Sequence, residues 1–520
     1  MLFEQYRIAN LFCSLIFLIL SSDVMVPILA IPHNVSPQIA LVSLKPEVNF
    51  RQTFDQKSIS NSAFDTELSA ILRIGDPFKR NETIELKLYP LNDDEWKTNF
   101  LSVTHYFVTN TERLGLFKVH FESVFAERSF AQKNHARTYY PGKTYHDLIM
   151  NYTTVYVNEE NSTVLLITRL RNYLEVYGLI NDHIEITPLW RRNPIKFIKP
   201  GVLMQDNSNE LLIYNKTLLH RIVDYGQNSP AKFCSEELVK KIKNVHSKRK
   251  EAILKNILNS HSFIDDIPVM TPEVSIFIDS YEYDNLSRNI DAVWRYSVIF
   301  FSRLALIFKQ VSDPTIELHL KNIFVATKPF SFQKIIPDFR SFQPKPHHSY
   351  LNAIRALHEF GAVFNIEESI LENSDFIIVI TGQDLCLDSN PNWLNSCSYS
   401  TVRGQGFVGG ACQKNLFKTR KMNVAIVEDS GHFDGIHSAA HEIGHLLGAV
   451  HDGQWPLATI LGPGGRGCTS ANGNLMSNGQ SGGLVATNEK NFELSLCSLE
   501  QLQYYAQLPR ARCLYTRPLD

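Results

Sequence analysis

The chain has 520 residues, of which 44% are hydrophobic and 20% are charged. This length predicts two to four domains, and the composition is sufficient for ordinary globular cores. The formal net charge is -2 at pH 7. Because there is no basic or acidic excess, we expect neither nucleic acid nor another polyanion as a partner.

A short apolar segment lies near the start of the chain. Residues 11–20 are apolar apart from Ser14, and polar residues follow at 21–23. A core of about ten residues is too short to cross a bilayer and fits a secretory signal peptide, which we assign to residues 1–30. The alternative is an uncleaved membrane anchor that continues to Ile31.

Six N-x-S/T sequons agree with export and predict N-glycosylation. No segment after residue 30 is long and apolar enough to predict a membrane span. We therefore expect a secreted, extracellular product without a membrane anchor. The sequons begin at Asn34, Asn81, Asn151, Asn161, Asn215 and Asn285.

Segments rich in β-branched and aromatic residues recur from residue 31 to residue 250. TIELKLYPL (83–91), TVYVN (154–158) and TVLLITRL (163–170) are three of them, and each predicts a strand. No catalytic grouping is visible here, so we interpret this half as a non-catalytic, β-rich domain. The rival interpretation, that this half is the released effector, conflicts with its lack of paired cysteines.

From residue 273 the pattern changes to alternating strands and helices. EVSIFID and DFIIVITG have the continuous apolar character of buried strands, and two longer segments between them have a helical pattern. Alternation of this kind predicts an α/β layer structure.

The cysteines divide the chain in the same way. Cys13 lies in the signal peptide, and Cys234 is alone between residues 31 and 385. Fourteen residues after Cys234 comes the basic cluster 248–250, which is either solvated surface or a processing site. The other cysteines are an even set that predicts three disulfides among fifteen possible pairings. They are Cys386, Cys397, Cys412, Cys468, Cys497 and Cys513.

The segment HEIGHLLGAVHD contains residues that could bind a metal ion and activate water. On a helix, His441 and His445 lie one turn apart on the same face, so both imidazoles can reach one zinc ion. Gly448 tolerates the left-handed conformation that ends helices, which would bring His451 to the same ion. Glu442, beside the first histidine, would act as general base on a water molecule.

Three histidine ligands leave the fourth position of a zinc ion open, which is typical of catalytic rather than structural sites. The alternative is a structural, histidine-rich helix. HExxH alone arises by chance, but a glycine and a histidine at the required offsets make a chance match rare. The sequence therefore predicts one catalytic zinc ion.

HEIGHLLGAVHD resembles the HExxHxxGxxHD signature of metzincin metalloproteases, and Asp452 after the third histidine is typical of the adamalysin or reprolysin family. The resemblance covers nearly all of residues 273–515. It implies an α/β zincin (metzincin) catalytic domain with a twisted mixed sheet and an active-site helix, preceded by a β-rich propeptide domain. The implied divisions are 31–250 for the propeptide, 251–272 for a linker and 273–520 for the protease domain.

Further site residues follow from this resemblance. Met476, in GNLMSNG, matches the family's methionine turn beneath the zinc, although a lone methionine is also common as core packing. GQGFVGGAC (404–412) looks like the substrate-binding edge strand. Its backbone around Phe407, Val408 and Gly409 would pair antiparallel with an extended peptide.

The resemblance also implies disulfides and a second metal. The implied pairs are Cys386–Cys397, Cys412–Cys513 and Cys468–Cys497. Some members bind calcium opposite the active site. Glu273 and Asp384 match two of its ligands, whereas Thr516 stands where asparagine is usual.

Family propeptides often carry an unpaired cysteine whose thiolate occupies the open zinc position until cleavage. Cys234 is the candidate for this cysteine switch, in the context AKFCSEE where the family has PKMCGV. The alternative is an inert or mispaired thiol.

The resemblance implies a secreted zinc metalloendopeptidase, made as a zymogen, that hydrolyses internal peptide bonds of extracellular proteins. Seven residues follow Cys513, so we expect a short monomeric form without disintegrin or transmembrane modules, as in arthropod venoms and saliva. The alternative is a catalytically silent secreted zinc protein that acts by binding, and such a protein has no need of Glu442.

Overall fold

The computed structural model describes seventeen segments of the chain. They are residues 38–44, 50–54, 68–75, 83–90, 104–108, 121–123, 153–170, 173–181, 183–188, 213–214, 217–224, 269–333, 350–366, 374–387, 402–413, 421–477 and 492–515.

The described part of the N-terminal half consists of strands. They are β1 (Gln38–Leu44), β2 (Phe50–Phe54), β3 (Leu68–Gly75), β4 (Thr83–Pro90), β5 (Thr104–Val108), β6 (Phe121–Ser123), β7 (Thr153–Asn158), β8 (Thr163–Leu170), β9 (Tyr173–Ile180), β10 (Ile184–Pro188), β11 (Ile213–Tyr214) and β12 (Thr217–Asp224).

The C-terminal half alternates strands with helices. Its elements are β13 (Val269–Met270), β14 (Glu273–Ile278), α1 (Ser280–Asn285), α2 (Ile290–Phe308), β15 (Thr315–Ile316), β16 (His319–Ala326), β17 (Tyr350–Asn352), α3 (Ala353–Ile366), β18 (Phe376–Thr381), β19 (Asp384–Cys386), β20 (Gly404–Gly406), β21 (Val424–Glu428), α4 (Ile436–Leu446) and α5 (Leu496–Ala506).

Ten N-terminal strands form one antiparallel sheet. Its order is β1-β12-β10-β9-β8-β7-β4-β3-β2, with β11 beside β12. Successive strands from β7 to β10 are separated by only a few residues and pair with their neighbours in sequence. Tight connections of this kind favour antiparallel pairing.

The second large sheet has seven strands in the order β20-β21-β18-β14-β16-β5-β6. The five strands from β21 to β5 pair in parallel, while β20 and β6 run antiparallel to their neighbours. The sheet is therefore mixed. All six residues of β18 are buried, as expected for a parallel strand that is covered on both faces.

Helices cover both faces of this sheet. On one face, α3 packs Phe360 and Phe364 against Phe277 of β14. On the other face, α2 and α4 pack against the alternate residues of the same strand. Helix α4 is thus packed against the sheet, chiefly on β21.

The two halves share a hydrophobic core. Helix α2 contacts β8 and β9 of the ten-stranded sheet, and Leu166 and Tyr177 of those strands lie in one cluster with Tyr296 and Ile299 of α2. In addition, β5 and β6 extend the seven-stranded sheet beyond β16. Sequence patterns did not predict that strands of the N-terminal half join this sheet, and the domain divisions stay a prediction.

Candidate metal centre

Helix α4 (Ile436–Leu446) presents the HExxH residues, and a carboxylate binds the backbone that precedes it. Asp429, at the end of the preceding strand, accepts backbone hydrogen bonds from Gly431 (2.7 Å) and His432 (3.1 Å). Its other oxygen accepts the N–H of Gly435 at 2.7 Å. Asp429 therefore holds the loop that leads into the helix, and Gly435, the N-cap residue, has no side-chain cap hydrogen bond.

The three histidines converge. Nε2 of His451 lies 3.1 Å from Nε2 of His441 and 3.2 Å from Nε2 of His445. The first two histidines come from successive turns of α4, and the third comes from the segment that follows the helix. Among the described residues, these three form one of two groups whose potential ligand atoms lie within 4.8 Å of one another.

Backbone carbonyls fix the orientation of two of the rings. Nδ1 of His441 lies 2.7 Å from the carbonyl oxygen of Leu475, and Nδ1 of His445 lies 2.8 Å from that of Ala449. Each Nδ1 therefore donates a proton to a carbonyl, which leaves the Nε2 lone pair free for a metal.

The electrostatic environment keeps these imidazoles neutral. Burial lowers the pKa of His445 to about 3, with a further contribution from His451. Burial also lowers the pKa of His441 well below its ordinary value and lowers that of His451. Neutral imidazole is the form that binds metal ions.

The residues fit a zinc ion. The Nε2 separations of 3.1 and 3.2 Å would let His451 share one ion with His441 and with His445, since zinc–nitrogen bonds are about 2.0–2.1 Å long. All three donors are imidazole nitrogens, which suit zinc, and two have their second nitrogen bound to a carbonyl.

Glu442 lies beside the first ligand and is 5% exposed. Burial raises its pKa to about 8, while the backbone N–H of Gly406 acts in the opposite direction. Gly404 and Gly406 leave room for the carboxylate, since a Cβ on either glycine would lie 2.8 or 3.0 Å from one of its oxygens. The carboxylate therefore lies between the metal-binding helix and the edge strand.

Gly448 forms the turn that returns His451 to the other two histidines. Its φ is +96°, a conformation in which glycine has no steric penalty. A Cβ at this position would lie 2.6 Å from the ring of Tyr505. The turn is thus packed directly against α5.

Met476 lies beneath the helix. It is fully buried, and a Cβ on Gly444 of α4 would lie 2.5 Å from its sulfur. The Met476 carbonyl accepts the N–H of Asp452 at 2.9 Å. The Asp452 carboxylate in turn accepts the hydroxyl of Ser495, the cap of α5, at 2.6 Å. These contacts tie the histidine segment to the chain beneath it.

The predicted edge-strand segment, residues 404–412, forms a strand only at its start. β20 is Gly404–Gly406 and pairs with β21, whereas Phe407, Val408 and Gly409 follow it as a turn. The Gly409 N–H donates to the carbonyl of His445 at 2.7 Å, and its φ is +66°. Because this backbone is bound to α4, the strand ends before residues 407–409, and a substrate contact at these residues stays a prediction.

The predicted calcium ligands do not converge. Glu273 begins β14 and forms an ion pair with Lys321 at 2.7 Å, whereas Asp384 follows the opposite, carboxyl end of the neighbouring β18. The length of a six-residue strand, on the order of 16 Å, separates these ends. Asp375 is the carboxylate beside Glu273, whose N–H it accepts at 2.9 Å. The pairing of Glu273 with Asp384 is therefore wrong.

Two disulfides lie near the site. One joins Cys412 to Cys513 with a Cα–Cα distance of 5.8 Å, and the other joins Cys468 to Cys497 with a distance of 6.0 Å. Cys386 is also disulfide-bonded. Its predicted partner, Cys397, lies outside the described residues, and so does Cys234.

Two sequons fall on described residues. Asn161 lies in the turn between β7 and β8, and Asn285 is the exposed last residue of α1. The Asn285 amide donates to Glu282 at 2.9 Å. The remaining sequons lie outside the described residues: Asn34, Asn81, Asn151 and Asn215.

Sequence analysis missed two residues of α5 that organise the site. Gln501 accepts the N–H of Val450 at 2.8 Å. The Tyr505 hydroxyl donates to the carbonyls of Gly409 (3.2 Å) and Ala411 (2.9 Å). Their i, i+4 spacing places both on one helix face. This spacing is the feature of the sequence that could have indicated a shared role.

Within the described residues, these features form a three-histidine cluster with an adjacent carboxylate and a strand at the edge of the sheet. Comparison with known proteins agrees with that class. The family model for the reprolysin-like metallopeptidases, family M12B, matches residues 300–452. The resemblance seen in the sequence is thereby confirmed over residues 300–452.

Curated proteins of this kind are also similar to the chain. "A disintegrin and metalloproteinase with thrombospondin motifs like" of Bombyx mori is 31% identical over 250 residues, 48% of this chain and 34% of that protein. "Venom metalloproteinase 2" of Eulophus pennicornis is 28% identical over 35% of this chain and 39% of its own length. "Venom metalloproteinase antarease TserMP_A" of Tityus serrulatus is 28% identical over 30% and 36%. The matched region spans between a third and two fifths of each relative.

Within the segments that the structure describes, no helix is both long enough and apolar enough to span a membrane.

Proposed function

We propose that this chain is a secreted zinc metalloendopeptidase, made as a zymogen, with Glu442 as its general base. The observation that carries the proposal is the convergence of three Nε2 atoms, with two separations of 3.1 and 3.2 Å, beside a buried carboxylate. The similarity to reprolysin-like metallopeptidases supports the same activity.

Zinc, when bound by His441, His445 and His451, supplies a Lewis acid that polarises the scissile carbonyl and acidifies water. The chain supplies the remaining steps. A cation bound beside Glu442 would favour its ionised form against the effect of burial, and the carboxylate then takes the proton from the attacking water and returns it to the leaving amine. The helix and the packed turn at Gly448 hold these groups in place.

The substrate binds as an extended peptide along β20. Among the described strands, β20 forms one end of the seven-stranded sheet, so an added strand could pair with its outer side. Antiparallel pairing there brings an internal peptide bond beside Glu442, whose carboxylate adjoins both Gly404 and Gly406. Cleavage is therefore internal rather than terminal, and the substrates are extracellular proteins.

The test is expression of the full chain in a secretory host, followed by casein and gelatin assays with and without a zinc chelator. We expect chelator-sensitive cleavage and one zinc ion per chain. Glu442→Gln should retain the zinc but lose activity by about 10²–10⁴-fold. The exposed Glu317→Gln serves as the matched control. A fully processed, zinc-loaded protein without activity would leave only the binding function.

The zymogen proposal includes cleavage near residue 250 and a switch role for Cys234. Support comes from the position of this cysteine before the basic cluster 248–250. Cys234→Ser should make the uncleaved protein active, since a thiolate would no longer occupy the open zinc position. N-terminal sequencing of the product locates the cleavage, and latency unchanged in the variant would remove Cys234 from the mechanism.

Export also predicts glycans and the remaining disulfide. Loss of mass on treatment with an N-glycosidase tests the sequons, and peptide mapping without reduction tests Cys386–Cys397. The names of two matched relatives include the word venom, and we propose a venom or salivary role on that basis. Transcript abundance in the venom or salivary gland of the source animal tests that role.

A further inference from the structure

The loop after the third histidine exposes an unusual amount of apolar surface. We call residues 453–467 the Trp455 loop. Trp455 is 71% exposed, Leu461 64% and Leu457 42%. These are three of the six large hydrophobic residues that are exposed in the described part of the chain. Clustering of apolar side chains on a surface marks an interaction site.

The base of this loop is fixed next to the metal centre. Gly453 donates to the Gly465 carbonyl at 2.8 Å, and Gly465 donates to the Gln454 carbonyl at 2.8 Å. Gln454 donates to the carbonyl of His451 at 3.0 Å. The exposed residues are therefore held at a defined place beside the third histidine.

The inner side of the loop adjoins the turn that continues the edge strand. A Cβ on Gly409 would lie 2.3 Å from the terminal carbon of Ile460. Gly409 is the third residue after β20. A peptide that runs antiparallel to β20 has its N-terminal residues at this end of the strand. The residues that precede the scissile bond therefore pass the Trp455 loop.

The residues of the Trp455 loop are suited to binding an apolar side chain of a substrate. It contains no Asp or Glu. The guanidinium of Arg466 lies over the Trp455 ring at 3.9 Å from its centroid, so the ring has a cationic partner on one face and apolar contacts to offer on the other. Aromatic residues held in this manner supply much of the energy at recognition sites.

We infer that the Trp455 loop selects substrates, with Trp455 and Leu461 binding large apolar side chains that precede the scissile bond. This inference rests on the proposed function and names the substrate class: extended peptides with apolar residues two to four positions before the cleaved bond. A lipid surface is the competing partner, but the continuity of the loop with the end of the edge strand favours a peptide.

The experiment uses quenched fluorescent peptides that differ only in having Leu or Ser two, three or four positions before the cleaved bond. For the wild type we expect the kcat/KM ratio of Leu to Ser peptides to be about tenfold or more at one position. Trp455→Ala and Leu461→Ala should each reduce this ratio several-fold. Their zinc content should stay unchanged, and their kcat/KM should fall less for the Ser peptides than for the Leu peptides.

Val269→Ala is the matched control, because it shortens an exposed apolar side chain of β13, outside the loop. Sedimentation with phosphatidylcholine vesicles, with and without phosphatidylserine, tests the competing partner. A Leu-to-Ser ratio that survives both loop variants overturns the inference, and loss of vesicle binding in those variants would then assign the loop to lipid. A wild type that cleaves none of the peptides removes the proposed function and this inference with it.

Discussion

Gly404 lies directly against the carboxylate of Glu442, and a Cβ on that glycine would be 2.8 Å from Oε1. Gly406 stands in the same relation to Oε2, at 3.0 Å. Contacts this short are below ordinary van der Waals separation. The edge strand therefore carries glycine at both positions because a carboxylate occupies the space where side chains would project.

We expect Gly404→Ala to displace the Glu442 carboxylate and to lower kcat/KM by about 10–10²-fold, since a shift near 1 Å in a catalytic group has an effect of this size. The zinc content should not change, because the histidines do not contact Gly404. Steady-state kinetics and metal analysis measure both. Gln405→Ala alters the intervening residue and is the control. Equal effects of the two changes would show that the glycine is not required by Glu442.

Gly448→Ala should weaken zinc binding through the third ligand. The alanine would adopt φ near +96° and would also meet the Tyr505 ring at 2.6 Å. We expect a loss of unfolding free energy on the order of 1–3 kcal/mol and a higher zinc dissociation constant, measured by chelator competition.

The control for this change is Gly453→Ala. Gly453 also has a positive φ, +89°, but the nearest atom to its Cβ would be 3.8 Å away. Gly453→Ala therefore introduces similar backbone strain without a contact to an aromatic ring. If the two variants bind zinc equally, the packing against Tyr505 does not position His451.

Local sequence pattern predicted much of the fold. TVLLITRL coincides with β8, EVSIFID contains β14, and DFIIVITG contains β18. These strands are buried and apolar, so a run of consecutive apolar residues identifies each of them in the sequence. The metal-binding pattern was equally local, because a helix places residues four apart on one face.

The errors concern relationships between distant residues. The end of the edge strand depends on a hydrogen bond from Gly409 to His445, which consecutive residues do not reveal. The choice between Asp375 and Asp384 depends on which end of a strand faces Glu273. Two carboxylates flanking one strand look equivalent in a sequence, and only the parallel register separates them.

Another such relationship joins the two halves. Arg295 of α2 and Glu175 of β9 form an ion pair of 2.7 Å, and their side chains are only 1% and 2% exposed. Removing one partner of a buried pair leaves a charge without its compensation. We expect Glu175→Gln to lower the unfolding free energy by about 3–5 kcal/mol, measured by urea denaturation of the full chain.

Two further variants serve as comparisons for Glu175→Gln. Replacing both residues, Glu175→Leu with Arg295→Met, should cost much less, because no charge stays buried. Lys309 and Glu159 form an exposed pair of 3.0 Å across the same two halves, with side chains 47% and 63% exposed. Lys309→Ala should change stability by at most about 1 kcal/mol. A Glu175→Gln protein as stable as the Lys309→Ala protein would contradict the expectation.

Glu428 should make stability depend on pH. Burial raises its pKa from 4.5 to about 7, although Arg403 at 2.9 Å and the Leu385 N–H oppose this shift. The folded state therefore binds the proton more tightly than the unfolded state. The stabilisation from protonated Glu428 is fully present below about pH 4.5 and is lost as the pH rises through 7.

Glu428→Gln removes this titration, because the amide resembles the protonated carboxyl at every pH. Relative to the wild type, the variant should gain up to about 3 kcal/mol of unfolding free energy between pH 4.5 and pH 8, from a pKa shift of about 2.5. Urea unfolding across this range measures the difference, with the exposed Glu317→Gln as control. If the two curves of unfolding free energy against pH stay parallel across the range, the expectation is wrong. Glu428 would then be ionised in the folded protein without loss of stability, because Arg403 at the start of the edge strand stabilises the charge.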